Sequence, residues 1–447
     1  MAFQQALSGL NTASKAIDST SHNIANSSTV GYKASVAHFG DVYAASLAGA
    51  GASQIGIGVN LAAIQQQFTQ GNITSTNNPL DISINGAGFF RMDNNGATTF
   101  TRNGQFHLDK NGYIINDQNM KLTGYPAQSG IIVPSTPSPL QISASDLPPV
   151  ATGTNVSSTF QGVKANLNMD SRETAPIPAW ANGGATGVWS PDPTTYNYST
   201  ALSVYDTLGN AHTLTMYFRK GQDQGEWAVF ANVDGTTNQR VTITGGATVD
   251  VQAGAGTTNV PGIGFNTSGG LLNAASSTLN VSIDLAGVMS DLGSVNSALS
   301  PLSFNLDFTG TTQFGSPFGT NRLEQDGYAA GHLVGLSVGN DGVVQGRYSN
   351  GQTFAQGQIV LANFTNPNGL QSLGNNQWTE TSVSGPALVG APNTSNLGVL
   401  SSSTVEESNV DLTAELVNLI TQQRNYQANA QSIKTQDQVM QTLVNLR

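Results

Sequence analysis

The longest unbroken pattern in this chain is its C-terminal stretch, 406–447, which contains no glycine or proline. From Leu412 onward, alternating steps of four and three residues lead along one face. That face consists of Leu412, Leu416, Leu419, Gln423, Tyr426, Ala430, Ile433, Asp437, Met440 and Val444. The spacing predicts one continuous helix, with Ser408 and Asp411 as a capping start. At ~1.5 Å per residue such a helix extends roughly 50 Å, so it is expected to need helix partners beyond its own domain.

A second stripe with the same spacing begins at the N-terminus and ends before Gly31. Its members are Phe3, Leu7, Leu10, Ser14, Ile17, Ser21 and Ile24. Stripes at both extremities predict coiled-coil-like helices that meet each other and their copies in neighbouring molecules. We therefore predict a self-assembly surface, the terminal seam, formed by Phe3, Leu7, Leu10, Ile17, Ile24, Leu412, Leu416, Leu419, Tyr426, Ile433 and Met440. The alternative is an ordinary amphipathic helix that covers a sheet of its own domain.

The composition indicates a β-rich protein with few surface charges. Of 447 residues, 10% are charged and 38% are hydrophobic, with 50 glycines, no cysteine and a net charge of −11. This balance is typical of strands joined by many turns, and the length allows roughly two to four domains. Nucleic-acid binding is disfavoured, because phosphate contacts need clustered Lys and Arg and the chain has only 16 of them in total. Without cysteine, disulfides and thiolate metal sites are excluded.

No sequence pattern indicates a membrane span, a cleaved secretory signal or a catalytic centre. The chain lacks a run of about 18 apolar residues, and its first residues lack the basic and apolar regions of a signal peptide. The histidines are scattered without the spacing of metal ligands, at His22, His38, His107, His212 and His332. The sequence therefore predicts neither an enzyme nor a cofactor or metal site, and no membrane insertion.

Alternating apolar residues predict an antiparallel β module after the N-terminal helix. Leu80, Ile82 and Ile84 alternate with polar residues. The Asn-Gly pair at 85–86 predicts a hairpin turn, with the return strand beginning near Phe89. Further strands and turns follow as far as residue 115.

A cluster of prolines ending at Pro148 and Pro149 marks a domain boundary. Beyond it, short period-two strands alternate with turns rich in Thr, Ser and Gly. Examples are Leu214, Met216 and Phe218; Leu279, Val281, Ile283 and Leu285; and Leu302, Phe304, Leu306 and Phe308. This pattern predicts a β sandwich or barrel inserted between the halves of the preceding module. The expected fold class is thus mainly β, with helical termini, a split antiparallel β domain and an inserted β domain.

Several short motifs stand at both ends of the chain and on both sides of the insertion. They include 23–26 (Asn-Ile-Ala-Asn) with 31–33 (Gly-Tyr-Lys), the run 80–90 with 101–104 (Thr-Arg-Asn-Gly), and 423–429 (Gln-Arg-Asn-Tyr-Gln-Ala-Asn). These motifs resemble those of the axial proteins of the bacterial flagellum, the family of rod, hook and junction subunits. Segments within and after the insertion are similar to the hook members in particular, namely 204–214 within it and 325–329, 348–352 and 361–370 after it.

The resemblance implies a structural subunit that polymerises into a short curved tube and transmits torque from rod to filament. Its partners would be itself, the rod, the hook cap, the hook-filament junction proteins and the flagellar export apparatus. Location would be extracellular, after export without a cleaved signal. The expected domains are a helical inner domain (1–30 with 405–447), a linker or extended segment (31–72), a split β domain (73–148 with 322–404) and an outer β domain (149–321).

Two other functions are compatible with parts of the sequence. A distal rod or junction subunit would share the two terminal stripes. An extracellular glycan-binding adhesin would explain the Asn- and Thr-rich middle of the chain, but it would not require helical stripes at both ends.

Overall fold

The computed structural model describes residues 2–42, 56–128, 130–143, 145–156, 158–181, 186–251, 259–273, 277–295 and 297–445. Within these residues the chain forms two compact units. The first unit comprises 1–144, 335–347 and 353–447, and the second comprises 145–334 and 348–352.

The secondary structure is mainly β between two terminal helices, so the predicted fold class is confirmed. The first part of the chain forms α1 (Ala2–Ala25), β1 (Ser35–Val42), β2 (Gly58–Gln66), β3 (Ile73–Ser75), β4 (Ile82–Asn85), β5 (Phe89–Asn94), β6 (Ala97–Thr101), β7 (His107–Leu108), β8 (Ile114–Ile115), β9 (Lys121–Gln128), β10 (Ile131–Ile132) and β11 (Ser138–Pro139). The middle forms β12 (Val163–Asp170), β13 (Tyr198–Tyr205), β14 (Ala211–Lys220), β15 (Glu226–Val233), β16 (Val241–Gly245), β17 (Ala247–Asp250), β18 (Asn259–Gly264), β19 (Thr278–Ile283), α2 (Leu285–Asp291), β20 (Leu302–Asp307), β21 (Thr312–Phe314) and β22 (Gly319–Gln325). The last part forms β23 (Leu333–Val338), β24 (Val343–Tyr348), β25 (Thr353–Ile359), β26 (Leu361–Asn363), β27 (Gln371–Gly374), β28 (Gln377–Thr379), β29 (Leu388–Gly390), β30 (Val399–Ser402), β31 (Thr404–Glu406) and α3 (Leu412–Asn445).

The start of α3 is fixed by a side-chain cap. Asp411 Oδ1 accepts hydrogen bonds from the backbone N–H of Thr413 at 2.9 Å and of Ala414 at 3.1 Å. Asp411 is therefore the N-cap, while the Ser408 hydroxyl accepts from the Val410 N–H in the turn ahead of the helix. None of the helices in the described ranges combines the length and apolarity that crossing a membrane requires.

The end of α1 is followed by a turn that only glycine fits. Gly31 has φ +70°, and a Cβ there would lie 2.7 Å from the backbone N of Asn103 and 2.8 Å from the carbonyl carbon of Arg102. Any larger residue would clash with backbone atoms that cannot move aside. The turn therefore brings the chain that leaves α1 into direct contact with the loop after β6.

The first unit combines strands that precede the second unit in the sequence with strands that follow it. β26 pairs antiparallel with β5, with Leu361 opposite Phe90, and β28 pairs with β6, with Gln377 opposite Thr101. The predicted hairpin across residues 85–86 is wrong. β4 pairs with β30, whereas β5 pairs with β6, β9 and β26. An Asn-Gly pair indicates only a local turn. The strand that pairs with β4 comes much later in the sequence.

The segment 31–72 contains a pair of strands in its described part. β1 and β2 pair antiparallel from Ser35 opposite Gln66 to Val42 opposite Gly58, and both lie against α1. Residues 43–55 lie outside the described residues.

The second unit is a β sandwich. One sheet has the strand order β16-β19-β20-β12-β21, with β22 also paired to β12, and the other has the order β13-β14-β15-β18-β17. Side chains of both sheets share one core, including Leu167, Phe218, Trp227, Val281 and Leu306. The period-two strands recognised in the sequence supply its inward-facing residues, as expected for two packed sheets.

Candidate assembly surface

The terminal helices form an antiparallel pair. Asn23 Nδ2 near the end of α1 donates to Glu415 Oε1 at 3.3 Å near the start of α3. Further along the pair, a Cβ on Gly9 would lie 2.9 Å from Asn429 Nδ2. The sequence therefore brings its two extremities together within one molecule, as the stripes predict.

The buried face of α1 is made of small residues. Its buried side chains are Ala6, Ala13, Ala16, Thr20 and Asn23, each one residue before a member of the predicted stripe. Small side chains allow backbones to approach closely. The large apolar side chains of α1 are consequently displaced from the packed face by about 100° around the helix axis.

The predicted seam residues lie at the surface or at its edge. Phe3 is 51% exposed, Leu7 42% and Leu416 44%. Leu412, Tyr426 and Met440 are also exposed, whereas the half-buried members are Leu10, Ile17, Ile24, Leu419 and Ile433. None of the eleven residues is buried in a core. In the monomer, six apolar side chains of the terminal seam are thus exposed and five are half-buried.

Helix α3 exposes more apolar surface than the stripe predicts. Val417 is 58% exposed, and Ile420 and Val439 are each 51% exposed. From Leu412 to Thr442, no described side chain of α3 is buried. The spacing Leu416, Ile420 at i and i+4 was visible in the sequence but fell outside a strict four-three pattern. A helix of this length with no buried side chain is not an element of the monomer's core.

A buried cluster of three charges joins the helices to the β strands of the first unit. Glu406 Oε1 accepts from Lys33 Nζ at 2.6 Å, and Glu406 Oε2 accepts from Arg102 Nη1 at 3.1 Å. The Lys33 and Glu406 side chains are 0% exposed, and Gly71 N also donates to Glu406 Oε1 at 2.9 Å. Glu406 lies shortly before α3 and therefore connects this helix to the segments that follow α1, β2 and β6.

Burial sets the electrostatics of this charge cluster. It lowers the pKa of the Lys33 ammonium and of the Arg102 guanidinium, and the Glu406 carboxylate opposes both changes. Two buried cations share one carboxylate, so Glu406 is the group on which both depend.

Two asparagine side chains complete the junction. Asn23 Oδ1 accepts from Ser35 N at 2.9 Å and from the Tyr32 hydroxyl at 3.0 Å, while its Nδ2 donates to Ser35 O at 2.9 Å. Asn409 Oδ1 accepts from Ala34 N at 2.8 Å, and its Nδ2 donates to Gln67 O at 2.7 Å. Each amide uses both its donor and its acceptor. These bonds fix the direction in which β1 leaves α1.

Asn23, Lys33 and Arg102 lie in the sequence motifs described above, but no role was predicted for them or for Glu406 and Asn409. A usable signal was present, because Lys33 and Arg102 are charges in a chain with few of them and each adjoins a segment of apolar and turn residues. In such surroundings a charge is commonly paired. The partner could not be found from sequence, because Lys33 and Glu406 are 373 residues apart.

Family models match successive parts of the chain. The model described as "Flagella basal body rod protein" matches residues 3–33, and "Flagellar hook protein FlgE/F/G D1 domain" matches residues 83–146. "Flagellar basal body protein FlaE D2 domain" matches residues 166–328. "Flagellar basal body rod FlgEFG protein C-terminal" matches residues 401–446.

Full-length relatives agree with these matches. The flagellar hook protein FlgE of Salmonella typhimurium is 40% identical over 454 residues, covering 100% of both chains. That of Escherichia coli K12 is 39% identical over 455 residues, again covering 100% of both. The crystal structure of Helicobacter pylori flagellar hook protein FlgE2 covers 74% of this chain and 100% of its own, with 14% identity and a TM-score of 0.49. By its full-length identity to the first two proteins, this chain belongs to the flagellar hook protein FlgE family.

Proposed function

We propose that many copies of this chain form the hook as a curved, flexible tube that transmits torque from the rod to the filament. Membership of the family places the chain in the flagellum as a structural component. The observation that carries the proposal is α3, which exposes a row of apolar side chains and buries none of those described.

The energetics of the helix pair support assembly. Ordering the backbone costs about 1 to 2 kcal/mol per residue, and isolated helices nucleate poorly in water. α1 approaches α3 at Gly9, and its buried side chains, such as Ala6 and Ala13, are small, so this helix buries little apolar area to offset the cost. When copies surround each pair, Leu416, Ile420 and their neighbours become buried as well. Association then supplies the stabilisation that the monomer lacks.

In the proposed tube, each domain of the chain occupies one layer. Residues 1–30 with 405–447 line the tube, the split β domain of 73–148 with 322–404 forms its middle shell, and 149–321 forms its outer surface. The segment 31–72 packs between neighbouring subunits. The partners are other copies of the chain, the rod, the hook cap, the hook-filament junction proteins and the export apparatus. Export proceeds without a cleaved signal, and function resides in repeated interfaces, not in catalysis.

Hydrogen exchange of the full chain before and after salt-induced assembly tests this proposal. We expect the amides of residues 7–24 and 412–442 to exchange freely in dilute monomer and to be protected in the polymer. The amides of β14 and β15 serve as an internal control, since they belong to a folded sandwich in both states. Strong protection of both helices in dilute monomer would show a self-sufficient pair and contradict assembly-coupled folding.

Electron micrographs of the same assembled sample separate hook from rod. Curved tubes are expected. Straight, rigid polymers would instead favour a distal rod subunit.

A further inference from the structure

His212 lies in the second unit, at the start of β14, between two aspartates. Its Nδ1 is 2.7 Å from Asp234 Oδ2, and its Nε2 is 3.4 Å from Asp206 Oδ2. The His212 side chain is 3% exposed and that of Asp206 is 0% exposed. The ring is thus enclosed between two carboxylates, one on each nitrogen.

Both carboxylates accept hydrogen bonds from backbone N–H groups. Asp206 Oδ1 accepts from Leu208 N at 2.9 Å and from Asn210 N at 2.8 Å, and Asp234 Oδ1 accepts from Thr213 N at 2.7 Å. A neutral imidazole has a single N–H donor, so only the imidazolium donates to both aspartates at once.

The turn that contains Asp206 packs against the two ends of the second unit's chain. Gly209 in this turn has φ +85°, and a Cβ there would lie 2.7 Å from Pro149 Cβ and 3.3 Å from Ala329 Cα. Pro149 belongs to the chain entering the unit and Ala329 to the chain leaving it. We propose that His212 is a pH-sensitive clamp, which in its charged form holds the turn 206–210 against both of these segments.

The direction of the pH effect follows from the charges around the ring. Among described residues, the charged groups that act on His212 are Asp234 and Asp206. The hydrogen bond to Asp234 raises the pKa of His212 above its ordinary 6.5, and burial opposes this only in part. A pKa raised in the clamped form means that clamping is fully favoured below 6.5 and is lost as pH rises through the raised value. Each unit of difference changes the opening equilibrium roughly tenfold.

The test uses the full chain with ¹⁵N-labelled histidine, titrated by NMR from acid to alkaline pH. We expect the His212 ring to keep both protons above pH 6.5. Replacing Asp234 with Asn removes the charge and keeps an acceptor, so the pKa of His212 should fall. A ring that titrates at or below 6.5 in the native chain, or whose pKa is unchanged by Asp234→Asn, would overturn the proposal.

Hydrogen exchange reports the clamp itself. Protection of the Leu208 and Asn210 amides, corrected for the intrinsic rate at each pH, should fall as His212 loses its proton, by roughly tenfold for each unit by which its pKa is raised. In His212→Gln this step should vanish, because Gln offers a donor but cannot take up charge. Native protection that does not change with pH, or an equal step in His212→Gln, would show that the ring has only a packing role.

Discussion

Leu416→Lys is expected to abolish polymerisation while leaving the monomer's melting temperature nearly unchanged. Leu416 is 44% exposed in the monomer, so a lysine there can extend its ammonium into water and disturbs little. In the polymer the same ammonium would be enclosed by apolar side chains of neighbouring copies. Burying an unpaired charge costs on the order of 3 kcal/mol or more, and this cost recurs at every subunit of the lattice.

Sedimentation after salt-induced assembly measures this effect, with Leu416→Met as the matched control. Met is also apolar and has a similar volume, so tubes should still form. A large drop in the monomer's melting temperature for Leu416→Lys would place Leu416 in an ordinary core. Normal tubes from Leu416→Lys would exclude it from the subunit interface.

Glu406→Gln is expected to destabilise the first unit by about 3–5 kcal/mol, the usual cost of breaking a buried ion pair on one side. The substitution leaves Lys33 and Arg102 buried without a counter-charge. It also turns one acceptor oxygen into an NH₂ donor that faces another donor. Lys33→Met should cost much less, because Glu406 and Arg102 then form a balanced pair. Thr69 O, which accepts from Lys33 Nζ at 2.7 Å, keeps a donor in Asn409 Nδ2 at 3.2 Å.

Chemical denaturation of the full-length monomer distinguishes these two variants. Trp378 is buried in the first unit, so its fluorescence in a background with Trp180, Trp189 and Trp227 replaced by Phe follows that unit alone. Equal losses in Lys33→Met and Glu406→Gln would mean that the length and bonds of Lys33 matter, and not the charge balance around Glu406.

Local periodicity predicted the terminal helices and the sandwich strands because both depend on which side chains face a packed surface. The apolar stripes that it marked lie on α1 and α3, where their described side chains are exposed or half-buried. It did not identify which face of α1 is buried, because Ala6, Ala13 and Ala16 carry little hydrophobic signal. Their importance is steric and appears only when other elements pack against α1.

The strand pairings and ion pairs that complete the first unit could not be predicted from the sequence, for a different reason. β4 reads as half of a hairpin with β5, yet it pairs with β30. Glu406 looks like an ordinary helix-preceding acid, yet it is the shared partner of Lys33 and Arg102. These contacts join residues hundreds of positions apart, and a single sequence contains no local trace of them.

Because Lys33 and Glu406 are 373 residues apart, their ion pair can form only when nearly the whole chain is present. A chain truncated before Thr404 retains α1 and the whole sandwich. It lacks β31, which pairs with β3, the carboxylate that neutralises Lys33 and Arg102, and all of α3. We expect its first unit to fold incompletely, and its α1 lacks the helix with which it pairs in the full chain. We therefore expect unfinished chains to be excluded from assembly, because the partners of their early residues come last in the sequence.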